Sequence, residues 1–424
     1  MKHRFARLLG AVATGACLFS AAASSHALEY SITDLGTLGG MWQHSYATGI
    51  NNSGQVVGYG YDLGQLYAGN SVYGNYQAFV TGANGTGLAA IPTLASGNWS
   101  KATGISDNGW VVGTSATVPG NEDENPAVGN PRAFVYRADG SMAPQALATP
   151  GTHSFGNGIN NGGQVTGSYV TAAGTQRAFV TQAAGAAPVE LGTLGGANAI
   201  GNGINDSGKV AGVSTVVGGR YDSINFGTAR GFVTNTQDGA PYGVMAPITV
   251  AGSDPTSPYH TSRAVGINDN GQTVGTTEAD YYTDAAAFIA GPDGIGRRLN
   301  VYDMGEFEMH GAWQLTSRGL SINNSGQVGG SYFWTVNMMD HAFITGANGY
   351  GLVDVNTLSF NNLAAGVRDW LFVNVTGIND FGQFVANGDN GRAYLISPVP
   401  EPATVLLMLF GLGLVAWRRR TQSR

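Results

Sequence analysis

The sequence predicts an all-β fold, a seven-bladed β-propeller, and three observations carry that prediction. A hairpin first seen at Ala47-Thr48-Gly49-Ile50-Asn51-Asn52-Ser53-Gly54-Gln55-Val56-Val57-Gly58 returns six more times, centred on Ile105, Ile159, Ile204, Ile267, Ile322 and Ile378. The Ile-to-Ile spacings are 55, 54, 45, 63, 55 and 56, close to the ~50 residues of a kelch-type blade and far above a leucine-rich repeat. Charged residues are only 11 %, Gly accounts for 66 of 424 residues and hydrophobic residues for 43 %, a profile of many short strands joined by tight turns.

Each repeat has room for four strands. Strand one is Ala-Thr-Gly-Ile or a variant, and strand two is Gln-Val-Val-Gly or a variant. Between them stands an Asn-x-x-Gly turn. Asn and Asp side chains bond their own backbone there, and Gly supplies positive φ without steric cost, so a tight hairpin is expected. Strand three is the Ala-Phe-Val motif, at Ala78-Phe79-Val80, Ala133-Phe134-Val135, Ala178-Phe179-Val180, Gly231-Phe232-Val233, Ala287-Phe288-Ile289, Ala342-Phe343-Ile344 and Ala393-Tyr394-Leu395. Its aromatics are expected to form core between neighbouring blades. Strand four resembles Asp34-Leu35-Gly36-Thr37-Leu38, with weaker copies around Ile91, Ala146, Leu191, Ile248, Val301 and Val355. The first copy of strand four precedes any strand one, and the last repeat stops after strand three. If strand one is innermost, Ile32 to Leu38 completes the last sheet and closes the ring, which removes exposed edges.

The ends differ from the body. Residues 1–27 read as a secretory signal: Lys2, Arg4 and Arg7 start it, Leu8 to Phe19 is apolar, and Ser25-His26-Ala27 is a small-x-small cleavage site. Cys17, the only cysteine, falls in that signal, which leaves the mature chain without a disulfide or thiolate metal site. Residues 28–398 are the repeats. Residues 399–424 form a third segment: Pro400-Glu401-Pro402, the apolar run Ala403 to Trp417, and Arg418-Arg419-Arg420. An apolar helix followed by arginines inserts with the arginines cytoplasmic. Fifteen residues sit at or below the lower limit for a span, which suits a transient transmembrane helix better than a permanent one. Seven of the 20 basic residues and one of the 27 acids lie in these ends, leaving 13 against 26 in the body. Such a body repels nucleic acid, which is excluded as a partner.

Two resemblances follow from these motifs. The segment from Val399 to Arg420 resembles a PEP-CTERM sorting signal, with the Pro400-Glu401-Pro402 motif, short helix and basic tail in order. That resemblance implies recognition by an exosortase, a membrane-embedded transpeptidase, in a Gram-negative host that makes exopolysaccharide. It implies a chain that passes through the inner membrane to the cell surface or extracellular space. The body resembles the HAF-type extracellular repeat, with one full His341-Ala342-Phe343 and two full Leu-Gly-Thr-Leu-Gly-Gly segments, Leu35 to Gly40 and Leu191 to Gly196. That family carries no assigned activity.

The residues themselves point away from catalysis. His44, His153, His260, His310 and His341 are isolated in sequence, with no two-histidine metal spacing, nucleophile elbow or Walker loop. No catalytic, cofactor or metal residue is assigned. The acidic run Glu122, Asp123 and Glu124 has oxygen ligands suited to calcium but lacks EF-hand spacing, and a solvated surface run is the favoured reading. A glycosidase-like propeller is the enzymatic alternative; it needs two carboxyls about 5 to 10 Å apart, and Glu278, Asp280, Glu306 and Glu308 are candidates without a pairing. Two non-enzymatic readings remain. One is a surface or biofilm-matrix module whose loop face, with Tyr59, Tyr169, Tyr281, Tyr282 and Tyr332, contacts extracellular polysaccharide; the other is a purely structural surface protein.

Overall fold

The computed structural model describes residues 29–62, 66–67, 70–71, 76–120, 129–217, 229–235, 244–251, 261–278, 285–299, 316–334, 337–363 and 369–399. The chain divides into a unit spanning Ser31–Ser397 and another comprising Met1–Tyr30 and Pro398–Arg424. Among the described residues the larger unit contains seven blade sheets, antiparallel except for one parallel strand, and a two-stranded ribbon of Leu66–Tyr67 and Asn70–Ser71, and the described residues form no α-helix.

Listed from the axis outward, blade 1 is His44–Ile50, Val56–Tyr61, Tyr76–Val80 and Ala89–Ala90, and blade 2 is Ser100–Ile105, Trp110–Ser115, Arg132–Arg137 and Gln145–Ala146. Blade 3 is His153–Ile159, Val165–Val170, Gln176–Thr181 and Pro188–Gly192; blade 4 is Gly195–Ile204, Val210–Val216, Ala229–Asn235 and Val244–Pro247. Blade 5 is Thr261–Ile267, Thr273–Glu278, Ala286–Ala290 and Ile295–Arg298, and blade 6 is Ser317–Ile322, Val328–Trp334, Met339–Ile344 and Val353–Asp354. Blade 7 takes Phe372–Ile378, Phe384–Gly388 and Ala393–Pro398 from the end of the repeats and Tyr30–Asp34 from their start. The first strands of successive blades pack against one another all the way round, so strand one is innermost.

Ring closure therefore follows the expected route, with shifted bounds. The closing strand starts at Tyr30, and its pairing ends where Leu35 N–H donates to Ala393 O at 3.0 Å; Gly36 to Leu38 are not strand. The fourth strand of blade 5 is Ile295–Arg298, ahead of the expected position at Val301, which lies outside the described residues. Ile248 likewise follows its blade's outer strand, Val244–Pro247. The next residues, Thr249–Val250, add a fifth, parallel strand to blade 5.

Two backbone features explain the repeat. Every first strand carries a bulge, at the residue between Ala47 and Gly49 in blade 1 and at its equivalents in the other six. The extra residue is left out of its own ladder, and in five blades its side chain bonds the next blade instead. Thr48 donates to Ala102 O at 2.8 Å, Thr103 to Gly156 O at 2.7 Å, Asn157 to Gly201 O at 2.8 Å, Asn202 to Ala264 O at 2.7 Å and Thr376 to Ala47 O at 2.8 Å. The Gly within strand two has a packing reason: a methyl on Gly58 would overlap the Tyr46 carbonyl oxygen and the Phe79 ring.

The Phe of each Ala-Phe-Val motif is fully buried, as expected for inter-blade core. Phe134 of blade 2 packs on Val57, Ala78 and Val80 of blade 1, and Phe179 of blade 3 on Val112, Ala133 and Val135 of blade 2. Phe79 of blade 1 packs on Val385, Ala393 and Leu395 of blade 7, so the core is continuous across the closure.

Candidate functional site

The seven turns, six Asn-x-x-Gly and one Ser-x-x-Gly, meet at one end of the axis, around a funnel of about 160 Å³ whose wall is the seven Ile residues and whose mouth is polar. The first turn residue is buried. Asn379, for example, accepts the N–H groups of Phe381 and Gln383 at Oδ1, and its amide donates to Gln383 Oε1 at 2.8 Å and to Asn51 O of the next blade at 3.0 Å. The same reach to the next blade is made by Asn51, Asn160, Asn205, Asn268 and Asn323. Blade 2 has Ser106 there instead, whose hydroxyl accepts from Trp110 N–H.

The second turn residue forms a closed girdle. The backbone N–H of Asn52 donates to Asp107 Oδ1, Asp107 to Asn161, Asn161 to Asp206, Asp206 to Asp269, Asp269 to Asn324, Asn324 to Asp380 and Asp380 to Asn52, each at 2.7–2.9 Å. Four carboxylates and three amides thus alternate round the mouth except where Asp206 adjoins Asp269. Asn52 donates its amide to the carboxylates on both sides, at 2.9 and 3.0 Å, and Asn324 does the same. The amides spread the negative charge of Asp107, Asp206, Asp269 and Asp380, and every turn is held by its neighbours. Among the described residues no group of three His, Cys, Asp or Glu side chains is arranged to hold a metal ion.

The polar residue before each Ala-Phe motif belongs to a second set of contacts, toward the blade edge. His341 Nδ1 lies 2.9 Å from Asp354 Oδ2, which also accepts Tyr332 Oη–H at 2.9 Å, while Trp334 stacks on the His341 ring. Burial alone would raise the Asp354 carboxyl. Hydrogen bonds from His341, the Asn356 N–H and Tyr332 outweigh it and hold the group below its ordinary 3.8. In blade 3, Tyr169 donates to Glu190 at 2.6 Å, with Arg177 3.8 Å from the same carboxylate; burial first, and then Glu190, push the tyrosine up to about 12. In blade 7, Arg392 makes a bidentate pair with Asp34. The histidine of the full motif is therefore one version of a clip from strand three to strand four.

These positions sort the candidate side chains. Tyr169 and Tyr332 are buried packing residues. Tyr59 is half-buried in an aromatic group with Tyr46, Tyr61 and Tyr76, with the Lys101 ammonium 3.7 Å from the Tyr76 ring centroid. His44 stacks on Tyr61, and His153 lies in blade 3 beside Thr152. Tyr281, Tyr282, His260, His310, Asp280, Glu306, Glu308 and the run Glu122 to Glu124 lie outside the described residues, as do Cys17, Pro400, Glu401, Pro402 and Arg418 to Arg420; Glu278 ends a strand of blade 5. Among the described residues no helix is long and apolar enough to cross a membrane, and the expected helix Ala403 to Trp417 falls outside them.

The end of the chain is the part that comparison with known families identifies. Residues 398–420 match the PEP-CTERM protein-sorting motif. A PEP-CTERM motif implies exosortase-sorted export toward the cell surface, and the matched residues coincide with the segment that resembles such a signal in sequence. No curated protein matches the chain. Among solved structures, an oligogalacturonate lyase of Vibrio parahaemolyticus aligns at TM-score 0.48 and 10 % identity, over 88 % of this chain and 98 % of its own. The β-propeller domain of the Trilobed protease from Pyrococcus furiosus aligns at TM-score 0.46 and 9 % identity, over 81 % and 91 %. A puromycin-hydrolysing peptidase of Mycobacterium tuberculosis aligns at TM-score 0.45 and 13 % identity, over 86 % of this chain and 56 % of its own; the chain spans about half the length of such peptidases. No activity passes from these proteins to this chain.

Proposed function

We propose that this is an exported surface protein, processed and sorted by an exosortase after a transient inner-membrane stage, whose propeller is an interaction module for the extracellular polysaccharide of its own cell. The PEP-CTERM motif at residues 398–420 carries the reading, because an exosortase-sorted chain is presented where that polymer lies. The propeller suits the role. Its turns and outer strands are consumed in holding the ring together, so ligand contact falls to side chains that vary between repeats. The HAF-type resemblance of the body fits the same location. The proposal contains no enzymatic step, and no specific observation favours the glycosidase-like alternative.

The test is a co-sedimentation assay of the purified protein with exopolysaccharide from the producing strain. Retention of the folded protein on that polymer is expected. A folded protein that binds none of the host's extracellular polysaccharides overturns the reading and leaves a purely structural surface protein.

A further inference from the structure

On the same face as the Asn-x-x-Gly turns, a groove of about 320 Å³ opens between blades 5 and 6, lined in part by Gln272, Ile295, Arg297, Asn348 and Tyr350. Arg297 belongs to the fourth strand of blade 5. Its Nη2 donates to Asn348 O, and its guanidinium carbon sits 4.1 Å above the centre of the Tyr350 ring. Tyr350 is nonetheless 66 % exposed, so the ring face away from the guanidinium is open to solvent. Ile295, at 67 % exposed, adds apolar surface. Gln272 fixes the Asn348 side chain by donating to its Oδ1 at 3.1 Å, which leaves the Asn348 amide hydrogens free to donate. Among the described residues no carboxylate pairs with Arg297.

The equivalent junction of blades 7 and 1 shows which of these residues the fold requires. There the same Ala-Asn-Gly turn recurs, with Asn84 at φ 53 and ψ 37 against Asn348 at φ 54 and ψ 29, and Gln383 donates to Asn84 at 3.3 Å as Gln272 does to Asn348. Gly85 faces Leu35 and Leu395 where Gly349 faces Leu299 and Ile289, so Leu35 corresponds to Leu299 and Thr33 to Arg297. Tyr350 is matched by Thr86. The turn forms equally with threonine at both places; Arg297 and Tyr350 are additions that it does not need.

We infer that the groove between blades 5 and 6 is a subsite for an acidic saccharide unit, a hexuronate, whose carboxylate is taken by Arg297 and whose sugar face stacks on Tyr350. The inference rests on the polysaccharide reading above and names the class of sugar. A planar guanidinium without an acid partner is the side chain best shaped for a carboxylate. An open aromatic face with a hydroxyl at its edge suits the C–H surface and rim hydroxyls of a pyranose. The acidic body does not forbid this, because charges beyond about 10 Å are screened at 0.1 M salt and the contact is local.

The test is calorimetric titration of the full chain and of Arg297→Thr and Tyr350→Thr with a short glucuronate or galacturonate oligomer, using the matching neutral oligomer as control. Both substitutions install the residue found at the equivalent junction of blades 7 and 1, so the turn is retained, which circular dichroism verifies. The intact protein should bind the uronate oligomer, more weakly as salt rises, and each variant should lose about tenfold or more, the loss of one charged hydrogen bond or one stacking contact. Equal binding of the acidic and neutral oligomers, or variants that bind like the parent, would overturn the groove assignment while leaving the polysaccharide reading in place if the host polymer still binds. Failure of the intact protein to bind any host polysaccharide would overturn both.

Discussion

The backbone N–H of Asp380 in blade 7 donates to Asn52 Oδ1 in blade 1 at 2.9 Å, across 328 residues of sequence, and completes a girdle of seven such bonds. Directly beneath it, Asn379 donates to Asn51 O at 3.0 Å. The last blade is thus tied to the first at the axis by side chains as well as at the rim by the Tyr30–Asp34 strand.

Asn379→Ala removes a buried side chain that serves two N–H groups, a glutamine and a carbonyl. The expected cost is about 2–4 kcal/mol, because two or more buried groups lose their partner. Asn379→Ser should lose less, since blade 2 already uses Ser106 at that place. Thermal midpoints by calorimetry rank the three proteins. An alanine variant as stable as the parent would show that the axial bonds contribute nothing to closure.

Acid should weaken blade 6. The Asp354 carboxyl is held below 3.8 in the folded chain, so the stability it contributes is fully present above that value and is lost as pH falls through the lower, folded one. The thermal midpoint is expected to drop below about pH 4. Asp354→Asn should be less stable than the parent at pH 7 and less sensitive to that acid step. Identical pH profiles for the two proteins would dissociate Asp354 from the acid response.

Gly58→Ala should destabilise by about 1–3 kcal/mol, the range for forcing atoms into a packed core, since the added methyl overlaps both Tyr46 O and Phe79. Gly49→Ala is the control. Its nearest neighbour would be Val57 at 3.6 Å, an ordinary contact, so its effect should stay within about 1 kcal/mol. Chemical denaturation midpoints compare the pair.

Export should depend on the sorting segment. Glu401→Gln, or deletion of Arg418 to Arg420, is expected to leave the full-length chain in the membrane fraction rather than processed at the surface. Immunoblots of cell fractions read this directly. Unchanged processing in both variants would count against exosortase recognition at residues 398–420.

Much of the architecture is legible in the residues because it is local. Asn-x-x-Gly sets a turn, Ala-Phe-Val sets a buried strand, and the order of copies leaves the first outer strand to the last sheet once strand one is placed innermost. The bulge in strand one is not legible. Thr48 and Thr103 read as ordinary strand residues, yet they leave their own ladder to bond the neighbouring blade. Nor is the role of His341, isolated in sequence, whose ring nitrogen meets Asp354 thirteen residues on at 2.9 Å.

The sequence by itself determined the number of blades, the order of strands along each repeat and the sorting address, since each is written in short segments whose geometry follows from neighbouring residues; that strand one is innermost, and so that the first outer strand closes the ring, was decided by the tertiary packing. The tertiary structure alone decided what the second turn position does. Asn52, Asp107, Asn161, Asp206, Asp269, Asn324 and Asp380 look like interchangeable turn residues because Asn and Asp serve a turn equally. They form a girdle only when seven blades bring residues 45 to 63 positions apart, and finally 328 apart, within bonding distance. The same holds for Arg297 and Tyr350, whose meeting depends on two adjacent blades and on no local rule.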